Sequence, residues 1–260
     1  MISPKIVVWF SCGVASAVAA KKTIEQYSDK YEIHIVNNPV AEEDKDNKRF
    51  LLDIQKWINY DIETAINPNF PSCSAIEVWG KRKFMSSPYG APCTSELKKN
   101  ARHEYERNNK IDWHVLGFTY DEEKRHQRFI LTERKNVLPV LIDLKLTKKD
   151  CFKIINKAGI SLPRVYEMGY PNANCIGCVK ATSPTYWNLV REKHPEVFKQ
   201  RSEQSREIGC KLVRVKGERK YLDELLVTDT GRPLKDFSFE CGSFCEEWNP
   251  NKELESQTND

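Results

Sequence analysis

No apolar run in the 260 residues approaches the roughly 20 needed to cross a bilayer. The opening MISPKIVVWF also lacks the basic flank and cleavage site of an export signal. The expected location is therefore cytoplasmic, with no membrane partner. Histidine is scarce. The five present show no H-E-x-x-H, H-x-x-E-H or paired ligand spacing, so they are read as structural or surface residues, with His126 nearest the candidate site. An excess of one charge is missing too: a net +4 permits a nucleic-acid partner without demanding one. Internal repeats are absent. An even cysteine count is also lacking, because nine thiols cannot all pair. In a cytosolic chain they point to metal-binding, catalytic or buried roles, not a disulfide framework.

What is present is a chain that is 40% hydrophobic, enough for a sizeable core. Lys5–Phe10 (KIVVWF) has the short β-branched and aromatic character of a buried strand, and Glu32–Val36 (EIHIV) that of a second. Between them the Ala-rich segment from Ala15 to Lys22 begins a helix. Residues 43–58 place Phe50, Leu51, Ile54, Trp57 and Ile58 on one helical face. Ser74–Met85, Ser95–Asn108 and Asp121–Glu133 read as further helices, and Trp113–Gly117 as a third strand. Val137–Ile142 is strand-like, at an edge or a strand start because of Pro139. Thr147 can cap a helix over Lys148–Ala158 that Gly159 ends. After Pro163 a loop runs to about Tyr170, and Thr185–Ile208 is mostly helical.

This alternation predicts an α/β fold, a doubly wound and mainly parallel sheet with a C-terminal helical, Cys-rich extension. The expected division is a nucleotide-binding domain over 1–172, a helical Cys-rich region over 173–249 and a frayed tail over 250–260.

Ser11-Cys12-Gly13-Val14-Ala15-Ser16 stands where such a fold binds phosphate, between the carboxyl end of the first strand and the start of the next helix. Backbone amides there point at the ligand, Gly13 permits close approach, and Ser11 and Ser16 add hydroxyls. No G-K-[ST] follows, so it is not a Walker loop, and it is not G-x-G-x-x-G. An ordinary strand–helix turn with a serine cap is the plain alternative.

Cys175-Ile176-Gly177-Cys178 brings two sulfurs onto one face of a tight turn, where the glycine leaves room for a metal or cluster. The pair suits a zinc knuckle, an iron–sulfur site or a redox dithiol. Cys241 and Cys245 could complete a four-thiolate zinc site with it. Cys151 and Cys210 read as core or partly buried thiols, and Cys73 lacks a partner in spacing. Basic clusters stand at Lys81-Arg82-Lys83, at Lys98-Lys99 with Arg102, and at Arg214, Lys216, Arg219 and Lys220. Solvated faces are the bland reading of all three.

The Ser11–Ser16 loop resembles a degenerate S-G-G-x-D-S loop of the PP-loop ATP pyrophosphatases and their relatives, the sulfonucleotide (PAPS) reductases, in the adenine nucleotide alpha hydrolase-like superfamily. Pro92-Cys93-Thr94-Ser95-Glu96-Leu97-Lys98 resembles the C-T-x-x-L-K element of that superfamily. Leu116-Gly117-Phe118 with Glu122 or Glu123, Arg125 and Arg128 resembles its G-[I/Y]…E…R segment. The likeness runs over roughly residues 5 to 200 and is closest to members of the DNA phosphorothioation type or the phage PAPS-reductase family. Cys12 replaces the first glycine of the loop and Ala15 its aspartate, a departure that reductase-type members share. Glu42, Glu43, Asp44 and Asp121 are alternative magnesium ligands.

The resemblance implies ATP with Mg2+ on Ser11, Cys12, Gly13, Val14, Ala15 and Ser16, with adenine near Asn37. It implies a 4Fe–4S cluster, or alternatively Zn2+, on Cys93, Cys175 and Cys178. Cys245 or Cys241 is the fourth ligand, unless that position is left open. Arg125 and Arg128 are implied to stabilise developing charge. The implied activity is pyrophosphate release coupled to sulfur incorporation into a nucleic acid, DNA before tRNA, with a cysteine desulfurase as sulfur donor and a second copy of the chain as a further candidate partner. The alternative is a PAPS-type reductase releasing sulfite, with Cys241 as nucleophile. Against it, Ser243-Phe244 stands where an aliphatic residue and histidine would follow, and the adjacent Cys-Cys pair of cluster-bearing reductases is replaced by Pro92-Cys93.

Overall fold

The computed structural model describes residues 3–234. Two compact units divide the chain, Met1–Cys73 with Ala101–Cys175 and Ser74–Asn100 with Ile176–Asp260. The first unit carries a five-stranded parallel sheet in the order β3-β2-β1-β4-β5, formed by β1 (Lys5–Phe10), β2 (Glu32–Asn37), β3 (Ile62–Thr64), β4 (Trp113–Val115) and β5 (Val137–Leu138). The chain builds outward from β1 to β3, then returns to the other side of β1 with β4. Strand order therefore reverses between β1 and β4, the position outside whose carboxyl ends open α/β sheets bind ligands.

Alternation along the strands decides the two faces. Ile6, Val8 and Phe10 of β1 join Ile33, Ile35 and Val115 in a core closed by helices α1 (Val14–Tyr27), α2 (Asn47–Ile58) and, farther along the chain, Lys148–Lys157. Small residues on α1 (Ala17, Ala19, Ala20) let it approach closely, while Phe50, Ile54 and Ile58 supply the buried stripe of α2. Phe50→Ala would cost about 3–5 kcal/mol on this basis. The opposite face is more polar. Trp9, His34 and His114 lie there beneath Tyr105 and Arg102 of Ala101–Asn108, with the Tyr105 ring edge-on to Trp9 at 5.9 Å and Arg102 over Trp9 at 5.2 Å. Helices thus cover both faces, as a doubly wound sheet requires.

In the second unit α3 (Ala75–Arg82) is capped by Ser74, whose hydroxyl accepts from the Glu77 amide. A short α4 (Pro92–Thr94) passes into a π-helical segment, Ser95–Asn100, before α5 (Ala101–Asn108). Later in the first unit come α6 (Glu123–Thr132), α7 (Val140–Asp143), α8 (Lys148–Lys157) and α9 (Arg164–Glu167). The second unit ends with α10 (Pro184–Lys193), α11 (Pro195–Ile208) and an antiparallel hairpin of β6 (Val213–Val215) and β7 (Glu218–Lys220).

Four sequence expectations need correction. The strand over Val137–Ile142 stops at Leu138, because Pro139 lacks the amide for a longer ladder and instead starts α7. Residues 43–46 precede α2 as a turn, in which the Asp44 side chain accepts from the Asp46 amide. The stretch after Pro163 contains α9, not only loop. Helix Thr185–Ile208 is two helices, broken at His194 before Pro195. β3 and the β6–β7 hairpin, whose strands are three residues each, go unseen in the sequence.

Candidate functional site

The join of β1 to α1 is built from three side chains. Cys12 takes the left-handed conformation at φ 55°, and its thiol is buried. Asn37, the last residue of β2, donates from Nδ2 to the Phe10 carbonyl at 2.8 Å and to Cys12 Sγ at 3.6 Å. Ser16 Oγ accepts from the Ser11 amide at 3.1 Å, donates to the Gly13 carbonyl at 2.9 Å and lies 3.2 Å from Ser11 Oγ. Gly13 is the N-cap of α1 and supplies no side-chain cap, so the amides of the first turn have no intrahelical acceptor. A Cβ on Gly13 would stand 3.7 Å from Ser11 Oγ and from the Tyr166 hydroxyl, filling a cradle that the glycine leaves open. The helix dipole makes that cradle electropositive.

From the other side of the switch point comes Gly117, which follows β4. A Cβ there would fall 2.8 Å from the Ser16 nitrogen. Only hydrogen fits, so the end of β4 and the first turn of α1 are locked backbone to backbone. Thr119 and Glu122 then form a capping box, and Arg125 pairs with Glu122 while lying over the Phe118 ring at 5.5 Å. Arg128 is exposed on the same helix. Buried His126 meets Phe118 edge-on at 5.5 Å.

Of the acidic residues after β2, Asp44 and Asp46 are engaged by arginines, and Glu43 accepts from the Asn47 side chain at 3.2 Å. Arg49 grips Asp46 with Nε and Nη2 at 2.7 Å each and Asp53 at 2.8 Å, and Arg164 meets both oxygens of buried Asp44 at 2.9 Å. The hydrogen bonds from Arg49 hold the Asp46 carboxyl below its usual range. Asp121 accepts from the Lys148 amide at 3.2 Å. Asn38 donates to the Ala65 carbonyl at 3.0 Å and accepts from Arg102, so it braces β2 and β3.

The thiols are distributed as follows. Cys93 lies in α4, half-buried, at the entrance to the π-helical segment, where Glu96 accepts from Arg82 and Asn100. Departures of this kind from α-helical geometry are frequent at functional sites. Cys175 is half-buried at the end of the first unit. Cys178 is buried in the second, its amide donating to the Tyr186 hydroxyl at 2.8 Å. Gly177 between them has φ +67°, and the room it leaves is taken by Val197 and Arg201: a Cβ would stand 2.9 Å from Val197 Cγ1. Buried Arg201 donates to the Gly177 carbonyl at 3.4 Å and lies over Trp79 at 4.7 Å. Among the described residues, no group of three His, Cys, Asp or Glu side chains is placed to hold a metal ion. Cys241 and Cys245 lie outside the described residues. Cys151 is fully buried, and burial pushes its thiol up to about 12, which makes it an inert core residue.

Three contributions were not legible in the sequence: the lock of Gly117 on Ser16, Tyr166 beside Gly13, and Arg201 behind the C-x-x-C turn. The pairing of a glycine after β4 with a small residue in α1 was the one available signal, and it needs the strand order to be read.

No protein-family model matches the sequence, and no curated protein matches it. Among solved structures the chain is similar to the U34-tRNA thiolase NcsA from Methanococcus maripaludis, determined with its 4Fe–4S cluster. The TM-score is 0.50 at 9% identity, covering 80% of this chain and 74% of that one. It also aligns with phosphoadenylyl-sulfate (PAPS) reductase from Candida auris, in a phosphate complex, with TM-score 0.48 and 6% identity over 66% of this chain and 81% of the reductase. With its parallel β3-β2-β1-β4-β5 sheet and helix-capped β1 loop, the chain has the adenine nucleotide alpha hydrolase-like fold.

Proposed function

We propose that the chain is an ATP pyrophosphatase that activates a nucleic-acid oxygen for replacement by sulfur, with a DNA backbone phosphate as first substrate and a tRNA base as second. The observation that carries this reading is the β1–α1 join. Left-handed Cys12 and side-chain-free Gly13 turn the first amides of a 14-residue helix toward the carboxyl edge of the sheet, at its switch point. The fold shared with a thiolase that carries a 4Fe–4S cluster supports a sulfur-related reaction.

In this reaction a substrate oxygen attacks the α-phosphorus of ATP. The bond to the bridging oxygen breaks and pyrophosphate leaves. Sulfur handed over as a persulfide by a cysteine desulfurase, and reduced to the sulfide level by two electrons from a dithiol that becomes a disulfide, then attacks the activated atom, and AMP departs with the original oxygen. The amides of Val14 and Ala15 would bind phosphate oxygens, with Ser16 and Asn37 holding the loop in shape. Arg125 and Arg128 would face the developing charge. Ala15 offers no carboxylate and Asp44 is held by Arg164, so magnesium would arrive with the nucleotide as part of the substrate.

An iron–sulfur cluster, or zinc, belongs to the proposal through Cys93, Cys175, Cys178 and Cys245, whose soft thiolates select such groups. Among the described residues no three such side chains are placed together to hold it. A cytoplasmic location and a second copy of the chain as partner belong to the same reading.

The engagement of Asp44 and Asp46 by arginines favours one alternative, a PAPS-type reductase that binds its nucleotide without metal-assisted cleavage and uses Cys241 as nucleophile. One experiment separates the two. Anaerobically purified protein is given ATP and Mg2+ with DNA, tRNA or neither, and pyrophosphate is measured; PAPS with thioredoxin is tested in parallel for sulfite. Pyrophosphate that depends on nucleic acid is expected. Sulfite without pyrophosphate would overturn the reading.

A further inference from the structure

Two basic runs far apart in sequence meet in the second unit. Lys83 ends α3 in the left-handed conformation, its amide bonded to the Trp79 carbonyl. Lys211, Arg214 and Arg219 come from the chain after α11 and from the β6–β7 hairpin, whose turn residues Lys216 and Gly217 have φ 49° and 92°. Two positive φ values in a two-residue turn fit the twist of the flanking strands, so the hairpin is a firm platform for its cations. These four basic residues line a cavity of about 640 Å³ together with Tyr89 and Cys210.

No Asp or Glu is among the described residues that line it. Glu207 approaches Lys83 Nζ at 3.8 Å, but both side chains are more than 70% exposed, and such a contact neutralises little. Arg219 donates to the Lys211 carbonyl at 3.2 Å, which orients its guanidinium and leaves its charge intact. A concave wall with one sign of charge concentrates the field and draws anions. The space exceeds what one inorganic phosphate fills, and Tyr89 offers a ring that is 54% exposed. Cations that track a backbone, beside an aromatic face for a base, are the features that hold single strands.

We propose that this cavity binds a single nucleic-acid strand, its phosphates against Lys83, Lys211, Arg214 and Arg219 and a base on Tyr89. The inference rests on the nucleic-acid substrate proposed above and assigns the surface that grips it.

The test is anisotropy of a fluorescein-labelled single-stranded DNA of about 16 nucleotides, titrated across a salt series. Duplex DNA, RNA of the same sequence and inorganic phosphate serve as competitors. Each phosphate contact on a single strand contributes about 0.7 to the slope of log affinity against log salt. The Lys211→Ala/Arg214→Ala double variant should therefore lose roughly 1.4 of slope and about tenfold or more in affinity at 0.1 M salt. Lys83→Asn keeps a residue tolerant of the left-handed conformation and should lose about half that slope. Tyr89→Ala should weaken binding about fivefold or more without changing the slope. Arg214→Lys should keep most of the affinity, and Lys157→Ala, at an exposed position of α8, should change nothing.

Equal binding by the double variant and the unaltered chain would overturn the assignment, as would tighter binding of duplex or full displacement by phosphate. Pyrophosphate release is measured alongside. Variants that keep nucleic-acid-dependent release with an unchanged KM for DNA would sink the cavity and leave the activity standing. DNA held by the cavity with no pyrophosphate formed would do the reverse.

Discussion

Gly117 and Ser16 meet backbone to backbone: a Cβ on Gly117 would stand 2.8 Å from the Ser16 nitrogen and 3.1 Å from the Ala15 carbonyl carbon. Neither neighbour can rotate away, since both belong to the first turn of α1. Gly117→Ala must therefore push β4 and α1 apart, at a cost of about 1–3 kcal/mol. The shift falls on the amides proposed to bind phosphate, so affinity for a non-hydrolysable ATP analogue should drop at least tenfold by calorimetry. An unchanged affinity would separate this contact from nucleotide binding.

Ser16 and Asn37 hold the same turn by hydrogen bonds. Ser16→Ala removes the acceptor of the Ser11 amide and the donor to the Gly13 carbonyl, which should cost about 1–3 kcal/mol in denaturant unfolding. Asn37→Asp puts a carboxylate where an amide donor faced the Phe10 carbonyl and the Cys12 sulfur. It should destabilise more than Asn37→Ala, because repulsion adds to the lost bond. The reverse order would mean that Asn37 serves as filler.

The order of the elements was legible because burial writes a period into the chain. Lys5–Phe10 is a strand to the residue, and the Phe50, Ile54, Ile58 stripe faces the core as its spacing predicts. The capping of α8 by Thr147 was legible for the same local reason, a hydroxyl three residues before an acid. The turn between β1 and α1 could be located but not shaped: nothing local says that Cys12 is left-handed or that Asn37 ties it down. Arg201 shows the limit. Its neighbours in α11 are polar, so it reads as a solvated residue, yet it is buried against Trp79 and Gly177. The pairing of α11 with the C-x-x-C turn decides that, and single-sequence patterns do not carry it.

His114 makes stability depend on pH. Burial, then the nearby charges of Arg134 and Arg102, lower it to about 3 from the usual 6.5. Trp9 Nε1 donates to its Nδ1 at 3.2 Å and Arg134 lies 2.8 Å from Nε2, so a second ring proton at Nδ1 displaces the Trp9 bond and sets a cation beside Arg134. Between pH 6.5 and about 3 the unfolded chain binds a proton that the folded chain refuses. Stability contributed by neutral His114 is therefore full above pH 6.5 and is lost as the pH falls through that window. Denaturant unfolding at several pH values should show this slope in the unaltered protein and a shallower one in His114→Gln. Parallel slopes would refute the assignment.

Gly177 allows the packing of the C-x-x-C turn to be isolated from its backbone conformation. Gly177 has φ +67° and would bring a Cβ to 2.9 Å from Val197 Cγ1, whereas Gly209 at the end of α11 has φ +80° with no neighbour within 4 Å. Alanine at Gly209 should cost only the left-handed penalty, about 1–2 kcal/mol. Alanine at Gly177 should cost that and about 1–3 kcal/mol more from overpacking against Val197 and Arg201. Denaturant unfolding of the two variants gives the difference, and the rate of thiol labelling at Cys178 should rise only in Gly177→Ala. Equal losses would mean that Val197 swings aside, leaving the turn held by the bond of Arg201 to the Gly177 carbonyl and that of the Cys178 amide to Tyr186.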